Sequence, residues 1–242
     1  MPNKPTALVI GADIGGITTA ARLAKNGYDV TVLEKEFTPG GRCNQVIRDG
    51  HRFDIGPTLF LMPEIWEETF ASLGEKMSDN LDLKRIDPTR TDKTAAPAGQ
   101  ETLYVLVPVG NLDARTKQDW DAMVNRARET IFNRLAKEMS ATDLREHIKF
   151  EIVYQPKVWK ERFNLEKGSA FGLSHNFMQV GFLRPQNRHK QYKNLYFAGA
   201  STHPGTGLPI VFLSARLTTE MILKESSTIS VQKVNKPALN PV

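Results

Sequence analysis

The stretch VIGADIGG at residues 9–16 limits what this chain can fold into more than any other feature. A short apolar strand, TALVIG, runs into a glycine-rich turn, GADIGG, and on into a helical pattern, ITTAARLAKNG, that closes on a glycine. Such a turn offers the free N–H groups and partial positive charge of a helix N-terminus to a phosphate. Its full form is G-x-G-x-x-G, where the second glycine lets the backbone approach a pyrophosphate. Gly11 and Gly16 hold the first and third places here, and Asp13 holds the second. A carboxylate has the wrong size and the wrong sign for that place. About 4 Å from a phosphate charge it costs about 4 kcal/mol at an effective dielectric near 20. That corresponds to about a thousandfold in affinity. Rotation of Asp13 toward solvent, or a neighbouring cation such as Arg42, reduces the loss.

A second strand, YDVTVLE, ends at Glu34 and completes one β-α-β unit. An acidic residue about 20 residues after the turn is placed to accept hydrogen bonds from an adenosine ribose. The alternative is a plain β-turn-α connection whose Glu34 is a solvated strand end.

The rest of the composition narrows the class. With 242 residues, 40% hydrophobic and 24% charged, the chain suits one large domain or two small ones with a real core. A net charge of +5 is modest, and the basic run RPQNRHKQYK (184–193) has one aromatic, so nucleic acid is not an expected partner. That run is read either as a solvated loop or as a contact with an anionic membrane surface. The single cysteine, Cys43, allows no internal disulfide, and no CxxC pair or metal-ligand spacing stands out. A reducing, cytoplasmic setting is expected, since the start of the chain has no apolar signal core and no run of about 18 apolar residues occurs.

Further along, TPGGRC (38–43) reads as a tight loop. Pro63 is placed to open a helix that turns Ile65, Phe70 and Leu73 toward a core. Residues 87–101 read as a linker, TLYVLVPV as a buried strand and IKFEIVY (148–154) as another strand. The longest helix is expected over 116–139, with Trp120, Met123, Val124, Ala127, Ile131 and Leu135 along one stripe. PKVWKERF reads as a short helix begun by proline. NLYFAG (194–199) reads as a strand followed by STHPGTGLP and a helix, IVFLSARLTTEMIL; from Ser226 on the chain reads as a loose tail.

GGRC at 40–43, FDIGPT at 53–58 and LYFAGASTHPGTGLPIV at 195–211 together resemble the flavin-dependent phytoene desaturase family, the carotenoid branch of the amine-oxidase-like flavoproteins. ETLYVLVPVG (101–110) and SAFGLSHNFMQVGFLRP (169–185) extend the likeness over nearly all of the chain. The resemblance implies an α/β fold: a Rossmann-like FAD-binding domain of the glutathione-reductase-like type, with a truncated α+β substrate domain. It implies FAD as cofactor and a hydrophobic polyene as substrate, with desaturation by hydride transfer to the flavin. The implied domain plan is 1–87 and 191–225 as the two parts of the FAD domain. A linker follows over 88–101, then a substrate-domain remnant over 102–190 and a flexible tail over 226–242.

The FAD contacts that the resemblance implies begin at the turn, with Gly11, Ala12, Asp13, Gly15 and Gly16, and at Glu34 and Lys35. Gly41 and Arg42 would lie by the flavin phosphates or ring, and Gly56, Pro57 and Thr58 would edge the isoalloxazine pocket. Gly199, Ala200, Thr202, Gly205, Gly207, Leu208, Pro209 and Ile210 would lie along the ribityl chain and pyrophosphate. Arg42 read without the family is a surface ion-pair partner. His175 and His203 are possible acid–base groups but more often such histidines pack or bond, and no catalytic side chain is assigned. Phe177 and Met178 are expected in the core. Family members are about twice this length, and the shortfall falls near residues 87–89, where their substrate domain continues. Its loss is expected to bare apolar surface, with Trp159, Phe171 and Phe182 as candidates. A degenerate homologue with weak or no FAD binding, or a redox-neutral polyene isomerase or cyclase, stands as the alternative.

Overall fold

Two parallel strands flank the glycine turn and its helix. The computed structural model describes residues 4–57, 60–83, 96–113, 115, 116, 118–174 and 176–234. In it β1 (Thr6–Ile10) pairs with β2 (Asp29–Leu33), in register from Thr6 opposite Asp29 to Ile10 opposite Leu33. Between them runs α1 (Ile14–Lys25), which buries Gly15, Thr18, Thr19, Ala20 and Leu23, a spacing that keeps one face inward. Asn26 and Gly27 end it, with Gly27 at φ 86°. β3 (Gln45–Arg48) and β4 (His51–Asp54) form an antiparallel hairpin. Its two turn residues, Asp49 at φ 50° and Gly50 at φ 76°, are both left-handed, as a type I′ turn requires.

α2 (Pro63–Leu73) opens on its proline, and Gly74 closes it at φ 83° with the Glu75 N–H bonded to Phe70 O. Ile65, Phe70 and Leu73 are half-buried, as the spacing predicts. Trp66, which the spacing did not single out, makes the larger contact: its ring stands edge-on to Phe212, 4.7 Å between centroids. After the single turn of α3 (Met77–Asn80), two longer segments build separate compact units. One unit is Met1–Thr102 with Leu173–Val242; the other is Leu103–Gly172. Residues 173–190 therefore cluster with the glycine turn and not with the segment before them.

The second unit contains α4 (Trp120–Met139), α5 (Leu144–His147) and α6 (Pro156–Phe163). The expected stripe along α4 is half-buried at each of its six positions. Arg128 forks onto Glu151 at 2.8 and 3.2 Å, and Arg145 onto Glu129 at 2.9 and 2.7 Å. Trp159 is half-buried between Tyr154 and Phe163 and is not bared. Phe171 is bared, at 63% exposure. Two expected strands are absent here. TLYVLVPV is neither strand nor buried, with Leu103 to Val107 and Val109 each exposed, and IKFEIVY forms no strand. A strand needs a neighbour for its N–H and C=O groups, and among the described residues of this unit none supplies it. Its described residues are helical and irregular, so the α+β reading of this part is corrected.

The first unit's core lies between α1 and α7 (Leu208–Val234), with α2 against both. Leu23 on α1 and Val211, Phe212, Ser214, Ala215, Thr218 and Thr219 on α7 are buried. The inward threonines stay satisfied by bonding the carbonyl four residues back, as Thr19, Thr69, Thr218 and Thr219 do at 2.7 to 2.9 Å. α7 continues through Val234, so the expected tail begins as helix; Tyr28 Oη meets Ser226 Oγ at 2.5 Å. None of the helices in the described residues is long and apolar enough to cross a membrane. One face of the two-stranded sheet is bare: Leu8 and Ile10 are 60% and 82% exposed, with Leu33 beside them at 50%.

Glu68 ties the three helices together. It accepts from Arg22 Nη2 of α1 at 2.9 Å and lies 3.9 Å from Arg216 Nη1 of α7. Arg22 is buried, while Glu68 is partly open to solvent. Glu68→Gln is expected to lower unfolding free energy by about 1–2 kcal/mol, less than for a fully buried pair, because water screens Glu68. Urea denaturation of the two proteins checks this; an unchanged midpoint would show that the contact contributes nothing.

Candidate functional site

Asp13 sits immediately before α1 in extended backbone, φ −75° and ψ 178°, a conformation open to any residue. Glycine is therefore not required at the second place by backbone geometry. Its carboxylate turns back on its own helix and accepts from the Gly16 N–H at 2.9 Å, as an N-cap does. The expectation that Asp13 projects into the path of a pyrophosphate is refined by this: its carboxylate occupies one of the very donors that a phosphate would use. Gly16 itself must lack a side chain, since a Cβ there would collide with the carbonyl of Gly11.

The second motif docks on the first. The Gly40 N–H donates to Ala12 O at 2.8 Å, and Gly40 forms a bridge with Asp13. Gly41 stands at φ 55°, and a Cβ on it would come within 2.8 Å of the Asp13 Cβ, so glycine at 41 is what lets a side chain exist at 13. Gly41, Arg42 and Cys43 form one 3-10 turn. Burial pushes the half-buried Cys43 thiol up, against the pull of Arg42. A Cβ on Gly56 would meet the Arg42 carbonyl, which brings the third motif against the second. Pro57 follows it, exposed, and Thr58 lies outside the described residues.

Glu34 is drawn inward to the turn. Its carboxylate accepts from the Ala12 N–H at 2.6 Å, from Lys35 N–H at 2.8 Å and from Glu36 N–H at 2.9 Å. The bonds from Glu36, then Ala12, hold its pKa below the usual 4.5 against the opposing effect of partial burial. Gly11 N–H is also taken, by Leu33 O at 2.7 Å. The turn's backbone cradle is thus assembled, and two carboxylates already hold two of its donors.

The C-terminal motif reaches the same helix end. A Cβ on Gly15 would be 3.3 Å from both Ala198 O and Val211 Cγ1, so the start of α1 lies against the loop before α7 and against the first turn of α7. NLYFAG forms no strand beyond a single Arg188–Tyr196 bridge, because its neighbour is the loop at 184–189 and not a sheet edge. Side chains shape the loop instead. Asn187 Nδ2 lies 3.1 Å from Phe197 O and 2.9 Å from His203 O. Ser214 Oγ accepts from the Gly199 N–H at 3.1 Å, and Thr202 Oγ1 meets Ser214 Oγ at 3.0 Å. Thr218 Oγ1 also reaches Phe197 O, at 3.0 Å. Arg184 Nη2 donates to Ala200 O at 2.9 Å. Sequence reasoning did not select Arg184, Asn187, Ser214 or Thr218; hydroxyl residues inside an otherwise apolar helix were the available signal.

Gly205 and Pro209 are buried, Thr206, Leu208 and Ile210 half-buried and Gly207 exposed, so this loop lies partly at the surface over the start of α7. His203 stacks on Phe182, and its Nδ1 pairs with Gly181 O at 3.1 Å. That is a packing role. His175 lies outside the described residues. Phe177 and Met178 are 80% and 69% exposed, which corrects their assignment to the core, and Phe182 is bared as expected, at 88%. They sit on short 3-10 turns whose chain passes over the surface.

Comparison with known proteins agrees with this geometry. Residues 9–73 match the model of the NAD(P)-binding Rossmann-like domain. A phytoene desaturase of Fusarium fujikuroi is 43% identical over 157 residues, 57% of this chain and 27% of the fungal one. A 4,4'-diapophytoene desaturase (4,4'-diaponeurosporene-forming) of Staphylococcus haemolyticus is 41% identical over 152 residues, 62% of this chain and 30% of its own. The zeta-carotene-forming phytoene desaturase of Myxococcus xanthus is 47% identical over 137 residues, 56% of this chain and 26% of its own. Over these stretches the chain is similar to carotenoid desaturases. It spans only 26–30% of the length of these relatives.

Two outcomes follow for the carboxylates. Asp13→Ala is expected to cost about 1 kcal/mol through loss of the cap, while Asp13→Ser keeps the cap and costs less than about 0.5 kcal/mol; thermal melts of the two variants distinguish them. Because Glu34 is held ionised by its N–H partners, its contribution to stability is present above its ordinary pKa of 4.5 and is lost as pH falls through the lower folded value. Stability is expected to drop less steeply below about pH 4.5 in Glu34→Gln than in the unaltered chain. Parallel slopes in urea titrations at pH 3.5 to 5.5 would remove Glu34 from this role.

Proposed function

We propose that this chain is the cofactor-holding part of a carotenoid-desaturase-type oxidoreductase and that it takes FAD. The single observation that carries the reading is the convergence of three separated sequence motifs on the N-terminus of α1. Gly40 and Gly41 lie against Ala12 and Asp13, and Gly15 lies against Ala198 and Val211. A dinucleotide needs such a place: close backbone, unpaired donors and the positive end of a helix. The backbone fits that need, whereas the Asp13 and Glu34 carboxylates compete with a phosphate for Gly16 N–H and Ala12 N–H. Gly11, Ala12, Gly15 and Gly16 would hold the phosphates, with Glu34 released to the ribose. Gly41, Arg42 and Gly56 would lie toward the flavin, and Gly199 to Ile210 would close the other side. FAD, when bound, would supply the two-electron acceptor for making a C=C bond in a polyene. The chain's own residues bind and orient, and none is assigned a proton-transfer role.

One observation favours a second reading, a degenerate homologue that no longer turns over. The sheet face at Leu8, Ile10 and Leu33 is bare, so these apolar residues enclose nothing among the described residues.

Visible absorption of the desalted protein after incubation with FAD separates the two. A flavin band is expected in the unaltered chain, with affinity at least about tenfold tighter in Asp13→Gly and at most about a thousandfold. No band in either protein would leave only the degenerate reading. Product mass then decides the reaction, since desaturation removes two hydrogens and isomerisation none.

A further inference from the structure

Arg184 is 2% exposed, yet everything its guanidinium bonds is main-chain carbonyl. Nη1 donates to Gln179 O at 2.7 Å, and Nη2 donates to Ala200 O at 2.9 Å and to Leu173 O at 3.2 Å. Its Nε is buried with no partner. Among the described residues no carboxylate pairs with it, whereas Arg22, Arg128, Arg145 and Arg188 each meet a glutamate within 2.9 Å. Taking an ion out of water without a counter-ion is costly, and carbonyl dipoles recover only part of that cost.

A clamp on this loop needs no charge. Asn187, three residues on, holds the carbonyls of Phe197 and His203 with a neutral amide. The fields nearby do not balance the guanidinium either. Ala200 lies in the loop that folds over the first turns of α7, and Gly15 joins that loop to the start of α1. The α1 end is already met by the Asp13 and Glu34 carboxylates, so the unmatched charge is the Arg184 guanidinium itself. A bound anion that displaced those carboxylates would restore its balance.

We propose that Arg184 is a positioning residue whose charge is reserved for the pyrophosphate of the dinucleotide. It fixes the Ala200 carbonyl, and so the loop, while supplying positive charge behind the phosphates. This rests on the dinucleotide reading above and adds a residue to it.

ADP and adenosine, which differ by the two phosphates, test it by calorimetric titration of the full chain. Each is titrated into the unaltered protein, Arg184→Lys and Arg184→Met, and into the same three with Asp13→Gly. Arg184→Met is expected to weaken ADP about tenfold or more while adenosine changes by less than about threefold. Arg184→Lys is expected to keep ADP within about threefold of the unaltered chain. Equal losses of ADP and adenosine in Arg184→Met would show a clamp only and overturn the proposal. Adenosine binding with no preference for ADP in the unaltered chain overturns it too, while the nucleotide site stands. Binding of neither, in both Asp13 backgrounds, removes the dinucleotide reading and the proposal together. Should Arg184→Met lose its fold by circular dichroism, salt dependence decides instead. ADP affinity is expected to fall with added salt more steeply in the unaltered chain than in Arg184→Gln, and equal slopes would overturn the proposal.

Discussion

The first N–H groups of a helix have no partner within the helix, and at the start of α1 something must satisfy them. In this chain a carboxylate does: Asp13 accepts from Gly16, and Glu34 reaches across from the end of β2 to Ala12. The same place gathers the GGRC loop through Gly40 and Gly41, and the C-terminal loop through Gly15. The N-terminus of α1 is therefore both a structural hub and the point at which a dinucleotide would enter. Those two uses are in competition, because a phosphate and a capping carboxylate ask for the same hydrogens.

That competition sets a physical trade. Asp13 stabilises the helix in the absence of a ligand, and it does so without backbone strain. Arg184 represents the opposite arrangement, a buried cation with no counter-charge beside Ala200. The chain thus carries a capping anion at one helix end and, in the adjoining loop, a buried cation bonded only to carbonyls. The bare face at Leu8 and Ile10 is a separate incompleteness, of area rather than of charge.

Local signals were legible where they are self-contained. The β-α-β unit from Thr6 to Leu33, the helix opened by Pro63, the stripe along α4 and the proline-led α6 each follow from spacing and caps within a dozen or so residues. The three motifs were legible as chemistry through their family likeness. Less could be read where the outcome depended on a partner. TLYVLVPV and NLYFAG have strand composition, but no neighbouring strand lies beside them in the described residues. Phe177 and Met178 have core composition and ride on surface turns. The polar clamp of Arg184, Asn187, Ser214 and Thr218 joins residues up to 31 apart, and nothing local announces it.

Backbone amide spectra of the labelled protein, recorded as FAD is added, test the central claim most directly. The account predicts that the amides of Ala12, Gly16, Gly41 and Gly199 shift together, with one common affinity, while those of Trp120–Met139 stay in place. Shifts confined to residues 103–172, or none at the start of α1, would contradict it.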